Sequence, residues 1–209
     1  MTAFLYIHGF NSSPGSQKAR QFTAAMERLG VAEQLRVPAL HHHPRKAMAQ
    51  LESAVADLGQ PVLIGSSLGG YYATYLAERH DLKAVLINPA VAPHRLFDGQ
   101  LGPQTNYYSG ETWELTLDHV AALAELEVPT PTDGSRYQVW LQTADETLDY
   151  RAAERYYRAA ALRIESGGDH SFQRFVSHLP ALLAFAGVPS SQWRDIDFSA
   201  FEAITSSTD

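Results

Sequence analysis

The run Val62-Leu63-Ile64-Gly65-Ser66-Ser67-Leu68-Gly69-Gly70 carries an apolar stretch into a Gly-x-Ser-x-Gly pattern, and helical periodicity begins at once. Strand, sharp turn and helix in that order are the setting in which a serine becomes a nucleophile. Such a turn crowds the serine backbone, so glycines at 65 and 69 keep side chains away from it. The hydroxyl of Ser67 would then stand above the sheet edge, and the amide of Leu68 would face an incoming carbonyl oxygen. The chemistry predicted is attack on an acyl carbon.

A serine hydroxyl is a poor nucleophile at neutral pH unless a base accepts its proton. In chains built this way a carboxylate and then a histidine follow the serine, in loops at the carboxyl edge of the sheet. Ser166-Gly167-Gly168-Asp169-His170-Ser171 is a glycine-rich loop between a strand and a helical stripe, and His170 is the predicted base. His178 falls inside the following helix and reads as a surface residue, while His80, His94 and His119 come too early in the chain. The strand Tyr137–Gln142 runs into Thr143-Ala144-Asp145-Glu146-Thr147-Leu148-Asp149. Asp145 lies nearest the strand end and is the favoured acid. Glu146 and Asp149 stay open as alternatives, Asp149 because acids also favour helix starts.

The first strand leads into His8-Gly9-Phe10-Asn11-Ser12-Ser13-Pro14-Gly15, a turn suited to presenting the Phe10 N–H toward Ser67. Backbone amides of Phe10 and Leu68 are therefore the predicted oxyanion hole, with His8 ordering the loop. His41-His42-His43 invites a metal reading, but consecutive side chains diverge and no nearby Asp, Glu or Cys completes a ligand set. A lining of the substrate entrance is the milder role expected there. Tyr71, Tyr72, Tyr75, Tyr156 and Tyr157 read as packing residues.

Six apolar runs supply strands to carry these groups: Phe4–Ile7, Leu35–Pro38, Pro61–Ile64, Ala84–Ile87, Tyr137–Gln142 and Leu162–Glu165. Helical stripes alternate with them: Phe22, Ala25, Met26 and Leu29; Met48, Leu51, Val55 and Leu58; Leu68, Tyr72, Tyr75 and Leu76; Tyr150, Ala153 and Tyr157. A last stripe, Phe172, Phe175, Val176 and Leu179, meets Pro180, which should kink or restart its helix. Alternation of this kind predicts an α/β chain with a doubly wound, mostly parallel sheet. Residues from about 89 to 131 interrupt it. They are too apolar for a linker and predict a small lid with a helix near Leu115–Leu126. The body is expected to be one domain over 1–187. A C-terminal extension follows over 188–209, fraying at its end with Trp193, Phe198 and Phe201 as docking points.

The 209 residues suit a single domain with a sizeable core. A net charge of −7, with no Lys/Arg run beyond Arg45-Lys46, argues against nucleic acid as a partner. The absence of cysteine excludes disulfides, thiolate metal sites and cysteine nucleophiles. No stretch has the length and apolarity of a membrane span, and the N-terminus reads as a strand, so a cytoplasmic protein is expected.

The segments L-Y-I-H-G-F-N-S-S-P, G-S-S-L-G-G-Y-Y-A-T, I-N-P-A-V, L-Q-T-A-D-E-T-L-D-Y-R and G-G-D-H-S-F-Q closely resemble the small YqiA-like esterases of the α/β-hydrolase superfamily. The resemblance covers residues 3–187 or so. It implies an α/β-hydrolase fold and a carboxylic ester hydrolase that needs no cofactor, with thioester activity on fatty acyl substrates as an extension. Carried over by position, the nucleophile falls on Ser67, the acid on Asp145 and the base on His170. The histidine run departs from the Pro/Tyr-rich stretch of that family. A small-molecule ester or thioester is the expected partner, and oligomeric state is left open. Acyl-CoA hydrolysis, carbon–carbon bond hydrolysis on the same site and a non-catalytic binding module are the competing expectations.

Overall fold

The computed structural model describes residues 2–97 and 99–207. Its main sheet has six parallel strands in the order β2-β1-β3-β4-β7-β8. These are β1 (Phe4–Ile7), β2 (Leu35–Arg36), β3 (Val62–Ser66), β4 (Ala84–Ile87), β7 (Tyr137–Gln142) and β8 (Ala161–Glu165). The central strands read as unbroken apolar runs because helices cover both faces. Within β1, Leu5 and Ile7 join one core while Phe4 and Tyr6 join the other.

Helices α1 (Gln17–Arg28) and α7 (Leu179–Phe185) cover the face that Phe4 and Tyr6 enter. Helices α2 (Pro44–Leu58), α3 (Leu68–His80), α5 (Leu117–Ala124) and α6 (Tyr150–Tyr156) contribute to the opposite core. The strand order turns at β1: β2 pairs on one side of it and β3 on the other, both parallel. After these strands α1 and α3 leave toward opposite faces, opening a crevice at the carboxyl ends of β1 and β3. Open α/β sheets bind ligands at such a point. The loops bearing Gly9, Phe10 and Ser67 meet there.

The insertion is more structured than one helix. It holds α4 (Pro93–Leu96), the antiparallel pair β5 (Gly102–Thr105) and β6 (Thr112–Leu115), and α5, which is shorter than the 115–126 expected. The insertion clamps the loop after β1. Trp113 Nε1 donates to Asn11 Oδ1 (2.9 Å), Asn106 Nδ2 donates to the Ser12 carbonyl (3.1 Å), and the Phe10 ring lies 4.7 Å from that of Phe97.

Two other expectations change. The stripe from Phe172 does not form one helix: a 3-10 turn over Phe175–His178 precedes α7, with Pro180 in its first turn, where a missing N–H is harmless. That turn carries His178 inward. It is buried against Trp140, with ring centroids 5.2 Å apart, and so is a core residue and not a surface one. The segment after Val188 docks through the residues expected to anchor it: Phe198 is buried with α1 and α7, Trp193 and Phe201 pack beside it, and Gln21 Nε2 donates to the carbonyls of Phe201 (3.3 Å) and Ile204 (3.4 Å). Gln21 and the Ser207 amide, which donates to the Gly15 carbonyl (3.0 Å), tie the segment along α1 as far as residue 207. Among the described residues no helix is long and apolar enough to cross a membrane.

Candidate active site

Ser67 links β3 to α3 with φ 55° and ψ −120°, a strained geometry for a residue with a side chain. The turn is possible because of what lacks a Cβ beside it. A Cβ on Gly65 would come within 2.5 Å of the Gly69 carbonyl oxygen, and one on Gly69 would overlap the Ile7 carbonyl of β1. Backbone on both sides leaves no room for adjustment. Gly69→Ala is expected to lower stability by about 3 kcal/mol, measured by urea denaturation.

The three side chains singled out in the sequence meet in one line. His170 Nε2 lies 2.9 Å from Ser67 Oγ, and His170 Nδ1 lies 2.8 Å from Asp145 Oδ2 and 3.0 Å from Oδ1. Only 2% of the Asp145 side chain is exposed. Its Oδ1 also accepts from the amides of Thr147 (2.9 Å) and Leu148 (2.8 Å), which compensate a carboxylate withdrawn from water. The two alternative acids have other partners. Asp149 caps α6 through the Arg151 amide (3.0 Å), and Glu146 accepts from the His170 backbone amide (2.9 Å).

On the other side of the serine, a Cβ on Gly9 would come within 3.3 Å of Ser67 Cβ, so the loop after β1 runs close to it. The amides of Phe10 and Leu68 have no intramolecular acceptor among the described residues. His8 orders this loop, as expected: its Nε2 accepts from the Leu40 amide (3.2 Å) while Nδ1 faces the Gly9 carbonyl (3.0 Å). Burial pushes the pKa of His8 down, which favours the neutral ring that this pair of bonds requires.

Two residues that the sequence reading overlooked hold the histidine loop. Buried Asn88, just past β4, donates from Nδ2 to the carbonyls of Asp169 (3.0 Å) and His170 (3.3 Å) and accepts the Gln142 amide at Oδ1 (3.0 Å). Gln142, at the end of β7, accepts the amides of Asp169 (3.2 Å) and Gln173 (2.9 Å) at Oε1. Their signal was a polar residue closing an apolar strand, easily read as the start of a loop. Asn88→Ala strands the buried Gln142 amide and should lower stability by about 1–3 kcal/mol in thermal denaturation.

The three consecutive histidines point to three different partners. The His41 ring accepts from the His43 amide (2.9 Å), His42 bonds His119 (3.2 Å), and His43 pairs with Asp118 (2.8 Å). His42 also stacks on Trp113 at 4.6 Å, joining the loop after β2 to the lid. Burial first, then the neighbouring His43 and His42, push His119 down to about 4. Among the described residues no group of three His, Asp or Glu is arranged to hold a metal ion.

A six-stranded parallel sheet wound on both faces, with a serine elbow after β3 and a lid after β4, is the α/β-hydrolase fold. Solved structures agree on the fold. Mouse alpha/beta hydrolase domain-containing protein 10 superposes with a TM-score of 0.67 at 15% identity, over 87% of this chain and 88% of that one. Est1E from Butyrivibrio proteoclasticus, solved with ferulic acid bound, gives 0.66 at 15% identity over 93% and 90%. Within this fold the chain belongs to the UPF0227 family, described as "Uncharacterised protein family (UPF0227)", whose model matches residues 3–187. This is the YqiA family that the sequence motifs resemble. A UPF0227 protein of Shewanella woodyi is 26% identical over 190 residues, covering 87% of this chain and 97% of the relative.

Proposed function

We propose that the protein is a serine hydrolase of small carboxylic esters, with Ser67 as nucleophile, His170 as general base and acid, and Asp145 as the acid that orients His170. The observation that supports it best is the unbroken sequence of contacts from Ser67 Oγ through the His170 ring to buried Asp145, at 2.9 and 2.8 Å. A carboxylate can only accept, so Nδ1 carries the proton toward Asp145 and Nε2 is left to accept from Ser67.

In this mechanism Ser67 Oγ attacks the ester carbonyl while its proton passes to His170 Nε2. The Phe10 and Leu68 amides donate to the oxygen that becomes negative. Asp145 stabilises the imidazolium, which then protonates the departing alcohol. Water enters, gives its proton to His170 and attacks the acyl-enzyme, releasing the carboxylic acid and restoring Ser67. No cofactor takes part in these steps. A series of p-nitrophenyl esters, assayed on wild type beside Ser67→Ala, tests the reading. Burst release of p-nitrophenol in wild type and none in Ser67→Ala is expected; equal turnover in both contradicts it.

A further inference from the structure

The cleft of about 320 Å³ that contains Ser67 and His170 has an unusual wall for an ester site. Among the described residues not one Leu, Ile, Val or Met lines it. Hydroxyl groups do instead, among them Tyr6, Ser12, Ser16, Ser171 and Ser206. Each methylene transferred from water to an apolar wall gains about 0.8 kcal/mol, and here the apolar surface comes from aromatic rings, those of Phe10, Tyr107 and Tyr108 among them, with no aliphatic branch beside them. Ser206 comes from the docked segment beyond the family match, so part of the wall lies outside the matched residues 3–187.

Lys18, in the first turn of α1, contributes the single ammonium or guanidinium group among the described lining residues. Its Nζ donates to the carbonyl of Ser171, the residue after His170, at 2.6 Å. Two further N–H donors remain on the ammonium. No carboxylate lies within ion-pair distance of it among the described residues. Burial pushes the Lys18 ammonium down to about 8, against the opposing pull of Asp169 and Asp145. A partly desolvated cation that feels Asp169 and Asp145 but touches neither keeps N–H donors for an anion, beside a nucleophile and in a cleft rich in hydroxyls.

We propose that the natural substrate is a short ester bearing a free carboxylate, which pairs with Lys18 and is further held by the serine hydroxyls of the cleft. This rests on the serine esterase reading and narrows its substrate class to esters that carry an anion. The carboxylate is on either the acyl or the alcohol side. Water adds across the ester bond through the acyl-enzyme, giving a dicarboxylic acid and an alcohol in the first case, or a carboxylic acid and a hydroxy acid in the second.

Two pairs of esters test it. One is 4-nitrophenyl hydrogen glutarate against 4-nitrophenyl pentanoate, for an acyl-side carboxylate. The other is 4-acetoxybutanoate against butyl acetate, followed by pH-stat, for the alcohol side. In wild type the anionic member of one pair should be favoured in kcat/KM by roughly 10- to 100-fold, the range of a charge-assisted pair. Lys18→Met should erase that ratio and Lys18→Arg keep most of it, with folding of each checked by circular dichroism. The preference should also fade as pH rises through about 8, because Lys18 carries its charge only below its pKa. A merely structural tie to Ser171 would lower both members of a pair alike and leave the ratio unmoved. Ser67-dependent turnover without an anionic preference in either pair, or with a preference that survives Lys18→Met, overturns the Lys18 proposal and leaves the esterase reading standing. Absence of any Ser67-dependent turnover overturns both.

Discussion

Replacing Ser67 or His170 by alanine should each lower kcat on the best ester by on the order of 10⁶, and the double variant should be no worse than either single one. Such a loss corresponds to about 8 kcal/mol of transition-state stabilisation. It is non-additive because the two groups perform one act. Without the imidazole 2.9 Å away the hydroxyl keeps its proton, and without the hydroxyl the imidazole has no nucleophile to deprotonate. Steady-state kinetics on the three purified variants, with contaminating esterase removed, checks this. Losses that multiply in the double variant would mean that the two residues act independently. Alanine at 67 inherits the strained backbone of the elbow unchanged, so thermal melts should match wild type closely.

Asp145→Asn should lower kcat by about 10⁴, and the hydrogen bonds at this carboxylate explain why. The Thr147 and Leu148 amides both donate to Oδ1. In the asparagine variant that position must be taken by the carbonyl oxygen, which turns the amide NH₂ toward His170 Nδ1. The NH₂ takes the nearer position, 2.8 Å from Nδ1, and favours the tautomer in which Nδ1 accepts, the ring proton sits on Nε2, and Nε2 no longer accepts from Ser67. The loss should therefore appear in kcat with little change in KM. The neighbouring Asp149 supplies the control. It caps α6, so Asp149→Ala should cost about 1 kcal/mol of stability while kcat stays near wild type. Reversal of these two results would transfer the acid's role to Asp149.

Much of this geometry could be read from residue order. Gly65, Ser67 and Gly69 can be recognised because a strained elbow tolerates few other residues around it, and the apolar runs located the strands that frame the crevice. Asp145 and His170 were accessible because a parallel sheet sends every strand end to one edge. Asn88 and Gln142 were not, since a single polar residue at a strand end has no period, and only the fold shows that both face the same loop. The hairpin of the lid was hidden for a related reason: Gly102-Pro103-Gln104-Thr105 has poor strand character, and pairing with Thr112–Leu115 makes it a strand. His178 went inward because a 3-10 turn rotates side chains differently from the α-helix that the stripe predicted. The tail showed its anchors, Trp193, Phe198 and Phe201, as apolar residues in a polar stretch, but not the bonds from Gln21 to the Phe201 and Ile204 carbonyls, which leave no mark in residue order.

The central claim is that Ser67 is the attacking group. Its most direct test is reaction of the intact protein with a fluorophosphonate, followed by peptide mass spectrometry. One adduct per chain on Ser67, formed in step with complete loss of p-nitrophenyl ester turnover and absent from His170→Ala, is the predicted result. An unmodified Ser67, or turnover that survives its full modification, would contradict the account.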